Sequence, residues 1–339
     1  MIGIIPDIHF RDHLPYSDYI PNGRNAEREK VFDFIVEKLK ECEKIVFLGD
    51  ILHNRTSPPQ VVKELIKFIE RFAEQELFII RGNHDVLSDG RTSFDFLSEI
   101  TNKKWHIITS QAESFGNLSF LPFISNAELE VKDIKDAVVK ILKMLKPGDI
   151  LFHHYSVSGM WTNSGFAVND FKEVILPRDK LEKKYRLIFS GHVHNPQVIG
   201  RTIVAGSVFT DTVDETEKFI WKINETDFTY EKIALPVRPI HKIENPESAE
   251  LEKLPKNSIV KTVLTKKYSD EEIKELKKKL SKFDAYILLE QIPHERKKLH
   301  YAEGESILEW DIEKLLQIYA KEKNTSFALL KKGYDLIRI

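Results

Sequence analysis

Hydrophobic positions in the first hundred residues alternate between two patterns. Short apolar runs at Ile2 to Pro6, Lys44 to Leu48 and Leu77 to Ile80 have the composition of strands buried on both faces. Between them, residues 25–42 carry Val31, Phe34, Ile35, Val36 and Leu39 at helical spacing. Pro58 and Pro59 open a second helix that runs to about Gln75. Its apolar stripe holds Val61, Leu65, Phe68 or Ile69, and Phe72, widened by Val62 and Ile66. The order β–α–β–α–β predicts a parallel sheet with helices packed on it.

The pattern changes further on. Gly116–Asn117 reads as a hairpin turn between Phe115 and Leu118, and a helix is predicted from about Glu128 to Leu145, stopped by Pro147–Gly148. Strands are predicted at Ile150 to Phe152, Arg186 to Phe189, Gln197 to Ile199, Thr202 to Val204, Lys218 to Ile223 and Asp227 to Ile233. Tight turns such as Gly200–Arg201 join several of them, so this half carries antiparallel pairs. The expected fold class is α/β, a two-sheet αββα sandwich with helices on the outside. Pro236 to Pro239 reads as a linker. A small α/β unit follows, with a strand at Ser258 to Thr265, a helix at Asp270 to Leu280 and a strand at Ala285 to Glu290. A last amphipathic helix is predicted at Ser306 to Lys323. The expected domains are 1–235, a small unit at 236–300, and a terminal helix and tail at 301–339.

Composition narrows the class. The chain has 339 residues, 42% hydrophobic and 31% charged, too apolar to be largely disordered. No apolar run approaches the about 18 residues needed to cross a bilayer. Ile2 to Ile5 runs at once into Asp7 and His9, with no basic leader. The single cysteine, Cys42, rules out an internal disulfide and a cysteine-built zinc site and fits a reducing cytoplasm. A net charge of −2 by itself speaks against nucleic acid, but a metal site needs carboxylates and brings its own positive charge. Residues 250–284 hold ten Lys against seven Asp and Glu, a net +3 that suits either a solvated helix face or a phosphate contact.

The chemistry lies in five clusters that contain seven of the twelve histidines: Asp7-Ile-His9, Gly49-Asp50-Ile-Leu-His53, Gly82-Asn83-His84-Asp85, His153-His154 and Gly191-His192-Val-His194. Each follows a predicted strand, and loops beyond the carboxyl ends of strands are where α/β sheets build sites. Two divalent ions about 3.5–4 Å apart need a bridging carboxylate and several N or O ligands each, and they supply the nucleophile and the charge compensation for phosphoester hydrolysis. Asp50 on its Gly-Asp turn is the expected bridge. Asp7, His9 and His194 would complete one metal, and Asn83, His154 and His192 the other. His154 is preferred to His153, which ends its strand and is expected to point inward. Carboxylate, imidazole and amide together suit manganese, with iron or zinc open. His84 is the expected proton donor to the leaving oxygen, with Asp85 to orient it, and His53 a second non-ligand ring. Arg55 and Arg91 are the candidate substrate-binding residues. Any one of these pairs is a weak signal; all five in order, each behind a strand, are not. His13, His106, His241, His294 and His300 read as ordinary structural side chains.

The constellation resembles the calcineurin-like metallophosphoesterase superfamily over about residues 1–235. Finer marks are similar to the double-strand-break nucleases of the SbcD and meiotic-recombination-eleven type. These are Gly49-Asp-Ile-Leu-His53-Asn-Arg55-Thr-Ser-Pro58, His154-Tyr-Ser-Val157-Ser-Gly159, Gly191-His-Val-His-Asn-Pro196-Gln197, Gly206-Ser207, Glu217-Lys-Phe219 and Arg238-Pro239. The resemblance implies Asp7, His9, Asp50, Asn83, His154, His192 and His194 as manganese ligands, His84 as catalytic acid and His53 as its phosphate-side partner. It further implies double-stranded DNA ends as substrate and a capping domain that helps bind them. It also implies a homodimer through helices at Pro59 to Gln75 and Thr92 to Ile100, and docking of Ser306 to Lys323 onto an SbcC-type ABC ATPase. Residues 240–339 carry the resemblance only loosely. The alternative is a phosphodiesterase of the same superfamily acting on a small ester, which has little need of a Lys-rich cap and a docking helix. A binding subunit with a dead site would not keep every metal and acid position filled.

Overall fold

The computed structural model describes residues 1–15, 24–87, 89–99, 104–161, 173–212, 215, 217–245, 248–255, 258–265 and 268–281, with Glu290, Gln291, Ala320, 326–328 and Lys331. The chain divides into two compact units, Met1–Glu290 and Gln291–Ile339. In chain order the first part runs β1 (Ile2–Ile5), α1 (Asn25–Leu39), β2 (Lys44–Phe47), α2 (Pro59–Glu70), β3 (Glu76–Ile80), β4 (Trp105–Ile108), β5 (Glu113–Phe115), β6 (Leu118–Leu121), α3 (Ile134–Met144) and β7 (Ile150–His153). Then come β8 (Ser156–Val157), β9 (Ile175–Leu176), α4 (Arg178–Lys184), β10 (Leu187–Ser190), β11 (Gln197–Ile199), β12 (Thr202–Val204), β13 (Phe219–Ile223) and β14 (Tyr230–Ala234). The last part holds β15 (Ile240–Glu244), α5 (Ser248–Leu251), β16 (Ile259–Leu264) and α6 (Asp270–Leu280).

Two six-stranded mixed sheets carry the architecture, ordered β14-β13-β1-β2-β3-β4 and β11-β12-β10-β7-β6-β5. The strands β1 to β4 are parallel, as are β6, β7, β10 and β12; antiparallel strands flank each set. Side-chain alternation sorts each strand between two cores. Ile2 and Ile4 enter the core between the sheets with Val46, Phe78, Phe120, Phe152, Phe189 and Trp221. Ile5, Ile45, Phe47 and Ile79 face the other way, against Phe32 and Ile35 of α1 and Leu65 and Phe68 of α2. On the far side, Leu151, Ile188 and Val204 pack with Ile141 of α3 and Leu181 of α4. Three cores between four layers make an αββα sandwich, the fold class the sequence predicts.

Several boundaries move. The helix expected from Glu128 begins at Ile134, because Asp133 caps it by accepting from the Lys135 amide. Glu128 instead closes a local turn with Ser125 and pairs with buried Arg81. Strand β4 was not anticipated; it continues the first sheet beside β3. Within the segment expected to be helical from Thr92, the described residues form a short 3-10 helix at Asp95–Glu99. The 236–239 stretch is less free than a linker: Val237 packs on the α1/α2 core and the Arg238 amide donates to Glu27. Beyond it β15 and β16 pair in parallel, and Leu251, Val260, Leu264, Leu276 and Leu280 form a separate small core. Helix α6 carries a full capping box between Ser269 and Glu272, and Lys277, Lys278 and Lys279 in its last turn. The strand at Ala285 to Glu290 and the helix at Ser306 to Lys323 lie outside the described residues, apart from Glu290 and Ala320. Among the described residues no helix is long and apolar enough to cross a membrane.

Candidate metal centre

The five clusters follow β1, β2, β3, β7 and β10, all parallel strands, so their carboxyl ends gather at one edge of the sandwich. The backbone there is bent to present its side chains. His9, Asp50 and His192 have φ of 48°, 46° and 80°, in the left-handed region that L-residues avoid. Such strain persists only where the surroundings enforce it. Here the His9 amide donates to the Asp50 carbonyl at 2.9 Å, the Phe10 amide to the Ile51 carbonyl at 2.8 Å, and the His192 amide to Asp7 Oδ2 at 2.9 Å. Two glycines leave room behind the ligands: a Cβ on Gly82 would lie 2.2 Å from Asp50 Oδ1, and one on Gly191 2.7 Å from Asp7 Oδ1.

Hydrogen bonds assign the free nitrogen of three of the four candidate ligand rings, because a carbonyl or carboxylate can only accept. His154 Nδ1 donates to the Leu48 carbonyl at 2.7 Å, which leaves Nε2, 3.0 Å from Asn83 Oδ1 and 3.4 Å from Asp50 Oδ1. His192 Nε2 donates to Glu173 at 3.1 Å, leaving Nδ1 2.8 Å from the same Asn83 oxygen. His194 Nδ1 donates to Glu215 at 3.1 Å, leaving Nε2 2.9 Å from His9 Nε2 and 3.8 Å from Asp7 Oδ2. Asp50 Oδ2 lies 3.6 Å from His9 Nε2. The two oxygens of Asp50 therefore face two sets: Asp7, His9 and His194 on one side, Asn83, His154 and His192 on the other. The structure brings together all seven residues that the sequence singles out as ligands. His153, by contrast, is wholly buried with neither ring nitrogen hydrogen-bonded, and burial lowers its pKa to about 3.

The electrostatics fit a cation. Burial, with Asp50 close by and His154 opposing, raises Asp7 to about 6. Asp50 is also buried, yet His154, His9 and His84 hold it well below the usual carboxylate range. His154 resists burial and is raised to about 10 by Asp50 and Asp7. Burial holds His9 well below the usual imidazole range. Two fully buried carboxylates, an orphaned Asp7 Oδ1 and converging imidazole nitrogens make a donor set suited to divalent ions. Asp7 with His9 and His194, and Asp7 with Asp50 and His154, each place their donor atoms within 4.8 Å of one another. His9, His53 and His84 form a third such group.

Around the ligands, His84 Nδ1 donates to the His53 carbonyl at 3.1 Å, which leaves Nε2 for proton exchange. The expected Asp85–His84 pair is not formed. Asp85 is buried and accepts from the Gly82, Ile51 and Leu52 amides at 2.8, 3.2 and 3.0 Å, so it ties the second and third loops together. Burial and Asp50 raise it to about 7. Arg55 is exposed; Arg91 is exposed and paired with Asp89 at 2.7 Å, and among the described residues no hydrogen bond joins either to the ligand set. Sequence reasoning missed Glu173, Glu215 and Lys218, a buried lysine paired to Glu215. Burial would raise Glu215, but His194 and Lys218 hold it down at about 2. It also missed Arg11, which contacts His53 at 3.1 Å and pairs with Asp211.

The calcineurin-like phosphoesterase profile matches residues 1–196. Over 97 residues the chain is 29% identical to the DNA double-strand break repair protein Mre11 of Archaeoglobus fulgidus, a stretch of 27% of this chain and 22% of that relative's length. Among solved structures it is similar to a novel archaeal phosphodiesterase, with a TM-score of 0.33 and 14% identity, covering 69% of this chain and 99% of that one.

Proposed function

The chain belongs to the calcineurin-like phosphoesterase family, and from that premise we propose that it is a manganese-dependent nuclease acting at DNA ends in double-strand-break repair. One observation carries the catalytic part: the Asp50 carboxylate turns one oxygen to His9 and the other to His154, so it faces both sets of candidate ligands. The similarity to an Mre11 segment and the lysine-ended helix α6 support DNA as the substrate.

Two divalent ions, when bound, supply an activated water and offset the charge that builds on the phosphoryl oxygens. The chain does the rest. Asp7, His9 and His194 would hold one ion, Asn83, His154 and His192 the other, and Glu215, Glu173 and the Leu48 carbonyl fix the rings. His84, anchored through Nδ1, gives its Nε2 proton to the leaving oxygen. His53, its ring stacked on His84 at 5.7 Å, lies on the phosphate side. In this reading residues 236–300 cap the DNA, residues 301–339 dock onto an SbcC-type ABC ATPase, and a second copy pairs through α2, all in the cytoplasm.

The test is cleavage of a labelled linear duplex with manganese, beside Asp50→Ala and a small chromogenic phosphodiester. Degradation that needs both manganese and Asp50 is expected. Turnover of the small ester alone, with no DNA cutting after an SbcC-type ATPase is added, would replace the nuclease by a small-substrate phosphodiesterase.

A further inference from the structure

Arg11 stands two residues beyond the ligand His9, with its side chain 12% exposed. We propose that Arg11 is a positioning residue that fixes the tautomer of His53, so that His53 offers a neutral Nδ1–H to the phosphoryl group while His84 alone transfers the proton. The proposal rests on the phosphoesterase reading but not on DNA as substrate.

Donors and acceptors fix the tautomer. Arg11 Nη1 lies 3.1 Å from His53 Nε2. A guanidinium has five N–H donors and no acceptor, so Nε2 must accept. A neutral imidazole that accepts at Nε2 carries its proton at Nδ1. That Nδ1 is buried and has no hydrogen-bond partner. A buried donor without a partner is costly, and it persists where a ligand is to meet it. The ring is placed for such a ligand: it meets His9 edge-on at 5.4 Å and stacks on His84 at 5.7 Å. One ring nitrogen from each of these three histidines lies within 4.8 Å of the others.

Main-chain contacts fix the approach of Arg11. Phe10 and Leu52 form a parallel bridge, the Phe10 amide donates to the Ile51 carbonyl at 2.8 Å, and the His53 amide to the Phe10 carbonyl at 3.1 Å. Arg11 and His53, each one residue further on, are thereby held side by side. Asp211 takes Nη2 and orients the fork. The two rings thus divide the work. His84 has a carbonyl on Nδ1 and a free Nε2 that can gain or lose a proton. His53 has a cation on Nε2 and only a donor to offer.

The test uses the full chain labelled with 15N-histidine, with the His53 signals assigned by His53→Gln. Long-range proton–nitrogen spectra of the wild type should show His53 unprotonated at Nε2 and protonated at Nδ1, and zinc loading should leave this unchanged. In Arg11→Met the proton should redistribute toward Nε2. With manganese and bis(p-nitrophenyl) phosphate, Arg11→Met and His53→Gln should each lower kcat by a similar factor, roughly 10- to 100-fold, as for other supporting partners. KM should hardly move, and the double variant should be no slower than the worse single one. Arg11→Gln, which keeps an N–H toward His53, should recover part of the loss. A protonated Nε2 in the wild type overturns the proposal, and so does loss of the Nδ1 proton on zinc loading, which would make His53 a ligand. Multiplicative losses in the double variant also overturn it, because Arg11 would then act on the substrate directly. The wild-type spectrum decides even if Arg11→Met does not fold. Absence of any ester turnover by the wild type would count against the phosphoesterase reading and leave the spectrum to judge Arg11.

Discussion

His154 and His194 sit on opposite sides of Asp50 and are held in opposite ways. His154 is wholly buried, and a main-chain carbonyl, Leu48, fixes its ring. His194 is 17% exposed, and a side chain, Glu215, fixes it. His192 follows the second pattern, with Glu173. A main-chain acceptor comes with the strand and cannot be removed by substitution. A carboxylate adds negative charge beside the metal and can be changed one atom at a time. The interior ring is thus set by the fold, and the two outer rings, one in each ligand set, are adjustable.

The largest effect is expected at Asp50, which faces both ligand sets. Asp50→Ala is expected to lower turnover by roughly 1,000-fold or more, since the bound ions contribute several kcal/mol to the barrier. Metal content measured on the purified variant should fall in both sets together; loss of one ion alone would mean that Asp50 does not bridge. Next is His84→Ala, with an expected loss of about 100- to 10,000-fold in kcat on a phosphodiester with a poor leaving group. The loss should be smaller on a nitrophenyl ester, whose leaving group needs no proton, and metal content should be unchanged.

Glu215→Gln and Glu173→Gln act on the two rings held by side chains. Each is expected to weaken metal binding by roughly 10- to 100-fold in calorimetric titration. Glu215 should matter more, because it is buried and also holds Lys218 and the Asp211 amide, whereas Glu173 is 37% exposed. Equal effects would remove burial as the reason. The smallest expected effect is on protons. His154 is raised to about 10, so near pH 7 it carries a proton on Nε2 that an ion must displace. Its ion pair with Asp50 stabilises the protein fully below about pH 6.5 and is lost as pH rises through about 10. Metal affinity should rise over the same window. Calorimetry in two buffers of different ionisation enthalpy reads the proton released, and no release would contradict the assignment.

The seven candidate ligands were legible because each lies just beyond a strand, and strands buried on both faces are the plainest pattern a sequence offers. Their supports were not. Glu173 and Glu215 lie in loops far in sequence from the rings they hold, two among 53 acidic residues, with no spacing to mark them. Asp85 was found but misassigned: adjacency suggested His84, whereas its burial and three amides make it a cross-loop tie. Strand β4 escaped because its first three residues are only partly buried at the sheet edge and its run is short. Arg11 sits beside a motif that was read and was passed over, although a charged residue that close to two ligands is itself a signal.

The pairing of β1 with β13 bears on how the chain reaches this state. Strand β1 must wait for residues 219–223 before its second edge is covered. During synthesis Ile2–Ile5 thus presents an apolar, unpaired edge for most of the length of the domain, the kind of surface that invites wrong pairing. Closure across more than 200 residues of sequence also makes for a slow final step. His192 and His194 arrive from β10 only shortly before it. The metal centre is therefore among the last parts to be completed, and a truncated chain ending before β13 would carry all seven ligands without the strand that seals the sheet beneath them.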